Sequence, residues 1–457
     1  MTRGLGHDSA DAGQPIVVIG AGMAGCEAAW HLAGAGYPVR LFEMRPQRQT
    51  AVHSTGNFAE LVCSNSFRGD SPANAVGLLK REMEALGSLI IGSARETAVP
   101  AGGALAVDRT LFSERVTKKI SSHPLISIER QEVVDLPAGP VIMATGPLTS
   151  PALHTAVQAL LGENALSFFD AVAPVVAADS LDFERLFRAS RYDKGEGADY
   201  LNAGMSRDQY EAFIDQLMAA ERVEFQEFEK KDIKYFEGCL PIEVMAERGR
   251  DTLRFGPMKP VGLVDPATDA RPWAVVQLRQ DDVAAEQWNL VGFQTKLKQA
   301  EQQRVLRMIP GLERARFVRF GMVHRNTYIN APVHLDSFLR LRERPSVRVA
   351  GQMTGVEGYV ESAATGLLAA KYIIMERNGR QTPLPPETAM GGLIRHLTER
   401  PAKGFQPSNI TWGLLQCPEE LRRIRSKRDR RVAQAEGALE AIRTWGKELA
   451  ESPVGGS

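Results

Sequence analysis

An α/β fold is predicted, with a doubly wound parallel sheet interrupted by an inserted α+β unit and followed by a helical C-terminus. Three observations predict it. Near the start, PIVVIG, a Gly-rich turn, an Ala-rich stretch and PVRLFE succeed one another within ~30 residues, the β-turn-α-β order of a Rossmann-like crossover. Near residue 350, SVRVAG runs into a second Gly-rich turn and a second Ala-rich stretch, GQMTGVEGYVESAATGLLAAKYII. Between them, from about Ser180 to Ala315, helical stretches alternate with Gly/Pro/charge-rich loops, so the pieces of the sheet are far apart in sequence.

Residues 1–14 are polar and small, with too little to bury, and read as a flexible tail. PIVVIG, from Pro15, is a continuous apolar run, as a strand covered on both faces requires. Met23 to about Ala35 reads as a helix and PVRLFE as a strand ending at Glu43. GALAVD around Leu105, LISIER around Ile126, PVIMAT around Met143 and SVRVAG around Val349 are further strand candidates. In the insertion, SRDQYEAFIDQLMAAERV and TKLKQAEQQRVLRMI read as helices and WAVVQLRQ as a strand. The expected units are a nucleotide-binding domain in two parts, 15–179 and 316–382, an insertion domain, 180–315, and a C-terminal helical region, 383–457. In the last, a long helical segment runs from Pro418, a residue favoured at a first helical position, and places Leu439, Ile442, Trp445 and Leu449 on one face.

Composition narrows the function classes. The 457 residues hold about three domains' worth of chain, with 44% hydrophobic and 24% charged residues, which excludes wholesale disorder and fibrous repeats. Lys plus Arg and Asp plus Glu are 55 each, so attraction to nucleic acid must come from local patches. Cys26, Cys63, Cys239 and Cys417 form no CxxC and no zinc spacing, so no metal is expected and a disulfide reductase is disfavoured. The start has no apolar signal region and no apolar run reaches the ~18 residues of a membrane span, which predicts a cytoplasmic protein without a membrane partner.

Gly20-Ala21-Gly22-Met23-Ala24-Gly25 is a G-x-G-x-x-G string placed between a strand and a helix. Gly20 can make the tight turn, Gly22 can let backbone reach a pyrophosphate, and Gly25 can let helix and strand pack closely. Glu43, 23 positions after Gly20, stands where an acid accepts ribose hydroxyls. FAD or NAD is then the choice. The split of the fold, with Ala144-Thr145-Gly146 in mid-chain and Gly351 and Gly355 near the end, favours FAD, because the second turn can bring amides and a helix start to a flavin ring.

At these residues the chain resembles the FAD- and folate-dependent tRNA (uracil-5-)-methyltransferases. The shared strings are GAGMAGCEAAW, AELVCSNSFRGD around Cys63, NAVGLLKREM from Asn74, FEGCLPIEVMAERGRDTLRFGPMKPVGL, HRNTYIN from His324 and GQMTGVEGYVESAATG from Gly351. The resemblance implies a flavin domain with an insertion, FAD, methylenetetrahydrofolate as carbon donor, NADH or NADPH as reductant, and a tRNA T-loop uridine, position 54, as target. It leaves the nicotinamide preference and the oligomeric state open.

Such chemistry needs a thiolate to add at uracil C6, since C5 of the neutral ring is a poor nucleophile. Cys26 and Cys417 read as structural, whereas Cys63 and Cys239 lie in polar loops within the shared strings. Cys239 is the expected nucleophile, since Arg248, Arg250, Arg254 and Lys259 follow it and favour a thiolate; Cys63, with fewer basic neighbours in sequence, is the expected partner near the flavin that serves as acid/base or shields the reactive carbon, and the reverse split of the two roles stays open. His324, Arg325 and Lys259 are candidates for the folate or RNA pocket. LRRIRSKRDRR, Leu421 to Arg431, has seven basic residues against one acidic, and on a helix Arg423, Lys427 and Arg430 would share a face able to follow tRNA phosphates. The competing readings are a small-molecule FAD oxidoreductase, a flavoprotein modifying the tRNA wobble uridine, and a non-catalytic RNA-binding flavoprotein.

Overall fold

The computed structural model describes residues 14–50, 52–162, 166–193, 198–223 and 240–450, with the side chains of 166–170, 193, 324, 325 and 450 set aside. The expected tail, apart from Gln14, therefore lies outside the described residues, as does Cys239.

The α/β expectation is met. A five-stranded parallel sheet has the order Val347–Val349, Val141–Met143, Ile16–Ile19, Val39–Phe42, Ile126–Glu129. Ile16–Ile19 is central and wholly buried, which is why its sequence is apolar without alternation. The helices Met23–Gly34 and Tyr359–Arg377 pack side by side, although more than 300 residues separate their starts. Their approach is as close as backbone allows: a Cβ on Gly366 would lie 2.1 Å from Ala24 O.

Residues 175–319 contribute a second, six-stranded sheet with its own core. Its order is Phe187–Arg188, Tyr200–Met205, Ala274–Gln280, Gln287–Leu290, Val175–Ala177, Phe317–Arg319, every neighbouring pair antiparallel. The helix Arg207–Ala219 starts from a capping box in which Ser206 and Gln209 satisfy each other's amides. Leu166–Ala171 and Val323–Tyr328, an antiparallel ribbon, bracket this unit in sequence.

At the C-terminus the sequence reads as a single helical run from Pro418, and here the structure differs. A 3-10 turn, Glu419–Arg423, ends at Ile424, which is extended at φ −71°, ψ 112°. A new helix, Lys427–Ala450, begins after Ser426, whose hydroxyl accepts the Asp429 amide and whose carbonyl accepts that of Arg430. A serine able to cap is a better helix start than an arginine-rich continuation. Arg423 is thereby separated from Lys427 and Arg430, and the three do not share one helical face. Ile442 and Trp445 on this helix are buried and Leu439 half-buried, with Trp445 Nε1 donating to Thr382 O at 3.2 Å.

Candidate active site

The phosphate turn forms as its residue types dictate. Gly20 sits at φ 96°, and a Cβ there would lie 2.6 Å from Ala144 O. Gly25 has no room either, since its Cβ would fall 1.8 Å from Gly20 O. Gly22 differs, with nothing among the described residues within 4 Å of a Cβ. It opens on a cavity of about 480 Å3, also lined by Gly20, Ala21, Met23, Ala24, Glu43, Gly146 and Gly351. As N-cap of Met23–Gly34, Gly22 offers no side chain to the first-turn amides, which leaves donors for an anion.

Glu43 is fixed by what it accepts. Its carboxylate takes the Ala21 amide at 3.1 Å and, from Arg45, the amide and Nε at 3.0 Å each. Burial pushes its proton affinity up, and the Arg45 hydrogen bonds more than reverse this, holding the carboxyl below its ordinary range. Arg45 also reaches Glu60 at 3.1 Å, so the acid facing the cavity stays ionised within a buried network.

The opposite wall comes from the second Gly-rich turn. Gly351, at φ 76°, donates its amide to Thr365 Oγ1 at 2.8 Å, and Gln352, Glu357, Gly358 and Tyr359 line the cavity beside it. Gly355 is elsewhere: it sits at φ 91° with its Cβ position 2.6 Å from the Phe405 ring and does not line the cavity. Tyr359 opens its helix, and its hydroxyl takes the Cys63 amide at 2.9 Å and lies 3.0 Å from Cys63 Sγ. Burial, then the neighbouring Cys63, pushes the Tyr359 phenol well above its usual range, so it stays protonated and able to donate.

Cys63 lines the same cavity, and the loop that carries it is held by three arginines remote in sequence. Arg109 donates to Leu61 O at 2.8 Å and pairs with Asp281 at 2.6 Å. Arg319 donates to Val62 O at 3.1 Å, and Arg279 to Ser64 Oγ and Asn65 Oδ1 at 2.8 Å each. Arg319 Nε and Nη2 and Arg109 Nη2 are buried without hydrogen-bond partners among the described residues. Burial, then Arg109, pushes the Arg319 guanidinium down to about 10. Cys63, basic-poor in sequence, is therefore basic-rich in space.

Two of the basic residues that follow Cys239 turn to other work. Arg250 pairs with Glu211 at 2.7 Å and Asp215 at 2.8 Å, and Arg254 lies 3.6 Å over the Trp273 ring. Lys259 does not line the cavity. From Leu240 the chain is described again, and two residues on the Ile242 amide donates at 2.8 Å to the carbonyl of Gln294, which does line it. His324 and Arg325 belong to the ribbon strand Val323–Tyr328, paired with Asp170 and Phe169; Thr327 N donates to Pro147 O at 3.2 Å, beside the Gly146 turn. Cys26 is buried and donates to Ala21 O at 3.3 Å, with its thiol pushed up by burial, and Cys417 is half-buried. Arg423 and Lys427 are exposed and Arg430 half-buried, none on the cavity.

Comparison with known proteins places this geometry. Residues 15–381 match the family model described as glucose inhibited division protein A. The chain is 56% identical over 430 residues to the methylenetetrahydrofolate–tRNA-(uracil-5-)-methyltransferase TrmFO of Heliobacterium modesticaldum, covering 93% of this chain and 97% of that one. With the enzyme of the same name from Enterococcus faecalis it shares 54% over 426 residues, 93% and 97% of the two chains. The chain belongs to the TrmFO family. Among solved structures, Aquifex aeolicus GidA in its form II crystal superposes with a TM-score of 0.68 at 17% identity, covering 95% of this chain and 73% of that one, which shows a shared fold.

Within this TrmFO-family chain, Tyr359, Arg109, Arg279 and Arg319 are site residues that sequence reasoning passed over. Arg279 carried a signal, the one charge in the strand WAVVQLRQ, and Tyr359 stands inside the shared string from Gly351. Arg109 and Arg319 had none, because only the fold brings the start of Arg109–Ser121 and the strand Phe317–Arg319 to one loop. Among the described residues, no group of three or more His, Cys, Asp or Glu is placed to hold a metal, and no helix is long and apolar enough to cross a membrane.

Proposed function

We propose that this protein methylates C5 of a tRNA uridine, in the T-loop, with methylenetetrahydrofolate as carbon donor, FAD as its resident cofactor and NADH or NADPH as the source of electrons. The observation that carries the reading is one cavity in which an open phosphate turn, an ionised Glu43 and the Cys63 thiol meet. It is supported by relatives of that name matched over almost their whole length. The residues fit FAD: Gly22 leaves space where a pyrophosphate must approach, the uncapped amides of Met23–Gly34 supply donors, and Glu43 suits ribose hydroxyls. When bound, FAD supplies the hydride that takes the one-carbon unit to the methyl level.

The chain's own part follows from the side chains. Cys239, as thiolate, forms a bond to uracil C6 and pushes electron density to C5, which then bonds to the carbon delivered by the folate. Leu240, next in the chain, leads directly to the contact between Ile242 and the cavity-lining Gln294. Cys63, beside Arg109, Arg279 and Arg319, takes the C5 proton as the bond between the transferred carbon and the folate nitrogen breaks and that nitrogen leaves; once the exocyclic methylene so formed has received the hydride that bound FAD would supply, expulsion of the Cys239 thiolate restores the ring. The Tyr359 hydroxyl fixes Cys63 by its amide and its sulfur. His324, Arg325 and Lys259 are assigned to the folate or RNA, and Arg423, Lys427 and Arg430 to tRNA phosphates. The cytoplasm is the compartment this reading implies. The test is mass analysis of unmodified tRNA incubated with the protein, methylenetetrahydrofolate and NAD(P)H: one uridine gains a methyl group, and an unchanged tRNA mass refutes the reading.

A further inference from the structure

Arg279 belongs to the strand Ala274–Gln280, which is buried along its whole length, and a charge in such a place is costly unless a counterion repays it. The counterion is missing. Asp281, the nearby carboxylate, is paired with Arg109 at 2.6 Å, and among the described residues no carboxylate lies within salt-bridge reach of Arg279. Arg279 is only 6% exposed, and burial lowers its proton affinity, although an arginine stays charged.

The three arginines that hold the Cys63 loop differ in what they present to the active-site cavity. Arg109 and Arg319 do not line it, and their unpartnered nitrogens, Arg109 Nη2 and Arg319 Nε and Nη2, are shut away from solvent. Arg279 does line it, beside Cys63 and Ser64. Its Nε and Nη2 are spent on Asn65 Oδ1 and Ser64 Oγ at 2.8 Å each, which fixes the plane of the guanidinium. Nη1 has no hydrogen-bond partner among the described residues and is not one of the nitrogens shut away. The strand register agrees: Asn289, directly opposite Arg279 in the antiparallel pair and so on the same face, also lines the cavity.

The reaction proposed above creates the anion that this donor lacks. As the Cys239 sulfur bonds to C6, the electron pair of the C5–C6 double bond moves to C5 and is shared with the C4 carbonyl, so negative charge appears on O4; it is withdrawn when C5 bonds to the carbon that the folate delivers. O4 hangs from the carbon next to C5, whose proton Cys63 takes, so a group that serves O4 must stand beside Cys63. A flavin ring has a different positive partner, the start of the helix Tyr359–Arg377, where Gly358 offers no side chain to the first-turn amides.

We propose that Arg279 is a further catalytic residue, whose Nη1–H donates to uracil O4 and stabilises the enolate formed when the thiolate adds to C6. The proposal rests on the tRNA reading above and adds to it the group that meets the developing charge. Arg279 keeps its protons throughout. Being fixed by Ser64 and Asn65 before the charge appears, it need not reorganise during the reaction, the condition under which such a donor is most effective.

The experiment measures methylation by FAD-loaded full-length wild type, Arg279→Gln and Arg279→Lys on unmodified tRNA that carries either uridine or 4-thiouridine at the target position. FAD content and the reduction potential of the bound flavin are recorded for each protein. With uridine, Arg279→Gln lowers kcat roughly 100-fold or more, as loss of one such donor does, while KM for tRNA stays near the wild-type value because the ground-state ring is neutral. With 4-thiouridine, whose sulfur is a weak acceptor, the same substitution costs roughly ten-fold less, a coupling that a loosened Cys63 loop does not produce. Arg279→Lys keeps the charge without the fork and falls between the two, and it carries the comparison if Arg279→Gln does not retain FAD. Equal losses on the two substrates, with wild type active, show that Arg279 only fastens the loop and overturn the proposal while sparing the activity. Equal losses together with a lowered flavin potential assign the guanidinium to the flavin and overturn it too. Wild type that methylates neither tRNA removes the tRNA reading itself and this proposal with it.

Discussion

Two glycines of one turn should fail in opposite ways. At Gly22 a Cβ meets nothing within 4 Å, and the backbone, at φ −76° and ψ −168°, is open to any L-residue. Gly22→Val should therefore leave the stability of FAD-free protein within ~0.5 kcal/mol of wild type, while its side chain occupies the space where a pyrophosphate approaches. At Gly25 the Cβ would stand 1.8 Å from Gly20 O, against 3.4 Å for ordinary contact, so the carbonyl or the helix must withdraw by ~1.6 Å. That carbonyl belongs to a turn pressed on Ala144 and cannot give way freely. Gly25→Ala should then cost ~1–3 kcal/mol or more, as overpacking does. The assays are chemical denaturation of FAD-free protein and titration with FAD followed by flavin fluorescence. Gly22→Val should fold and not bind; Gly25→Ala should unfold early, whatever its residual binding. A Gly22→Val variant that binds FAD as wild type does would refute the phosphate role of this turn, and an unperturbed Gly25→Ala would refute the packing argument.

With tRNA containing 5-fluorouridine, which cannot lose its C5 substituent as a proton, wild type and Cys63→Ala should trap a covalent adduct on gels and Cys239→Ala should not; adduct formation by Cys239→Ala alone would exchange the two roles. Replacing Arg319 by Gln removes a buried charge beside the Cys63 loop, so the pH at which Cys63 becomes half alkylated by iodoacetamide should rise, and an unmoved profile would show that the arginines only fasten the loop. Burial raises the Glu82 carboxyl from 4.5 to about 8, against the Ala389 and Met390 amides that it accepts. The folded state then binds the extra proton, so stability present below about pH 4.5 is lost as pH rises toward about 8, and Glu82→Gln should flatten that decline in denaturation midpoints; a parallel decline in the variant would assign it to other groups.

What could be read from sequence followed from local constraints. PIVVIG announces a strand buried on both faces, and the turn glycines announce their role because a tight turn and a close helix leave no space for a Cβ, as Gly20 and Gly25 show. Gly355 was legible as a turn glycine, since its φ is 91°, yet what it faces is Phe405, 50 residues on, which no local pattern encodes. The helix expected from Pro418 failed at Ile424 because charge periodicity does not register a capping serine two residues later. The arginines around Cys63 were illegible for a deeper reason: Arg279 and Arg319 belong to the inserted sheet and Arg109 to the flavin unit, so only the docking of the two produces the field.

The contact between Gly366 and Ala24 also has a meaning in time. A ribosome adding about 5–20 residues per second needs ~20–70 s between Gly22 and Gly358, the residues that begin the two adjoining helices. For most of that interval, from residue 143 to residue 347, the strand Val141–Met143 lacks the neighbour, Val347–Val349, that completes its pairing. The inserted six-stranded sheet, whose partners all lie within residues 175–319, can meanwhile form on its own. Cofactor capture should therefore be a late event in the making of this protein, and nascent chains halted before Gly358 should carry a folded insertion and no flavin.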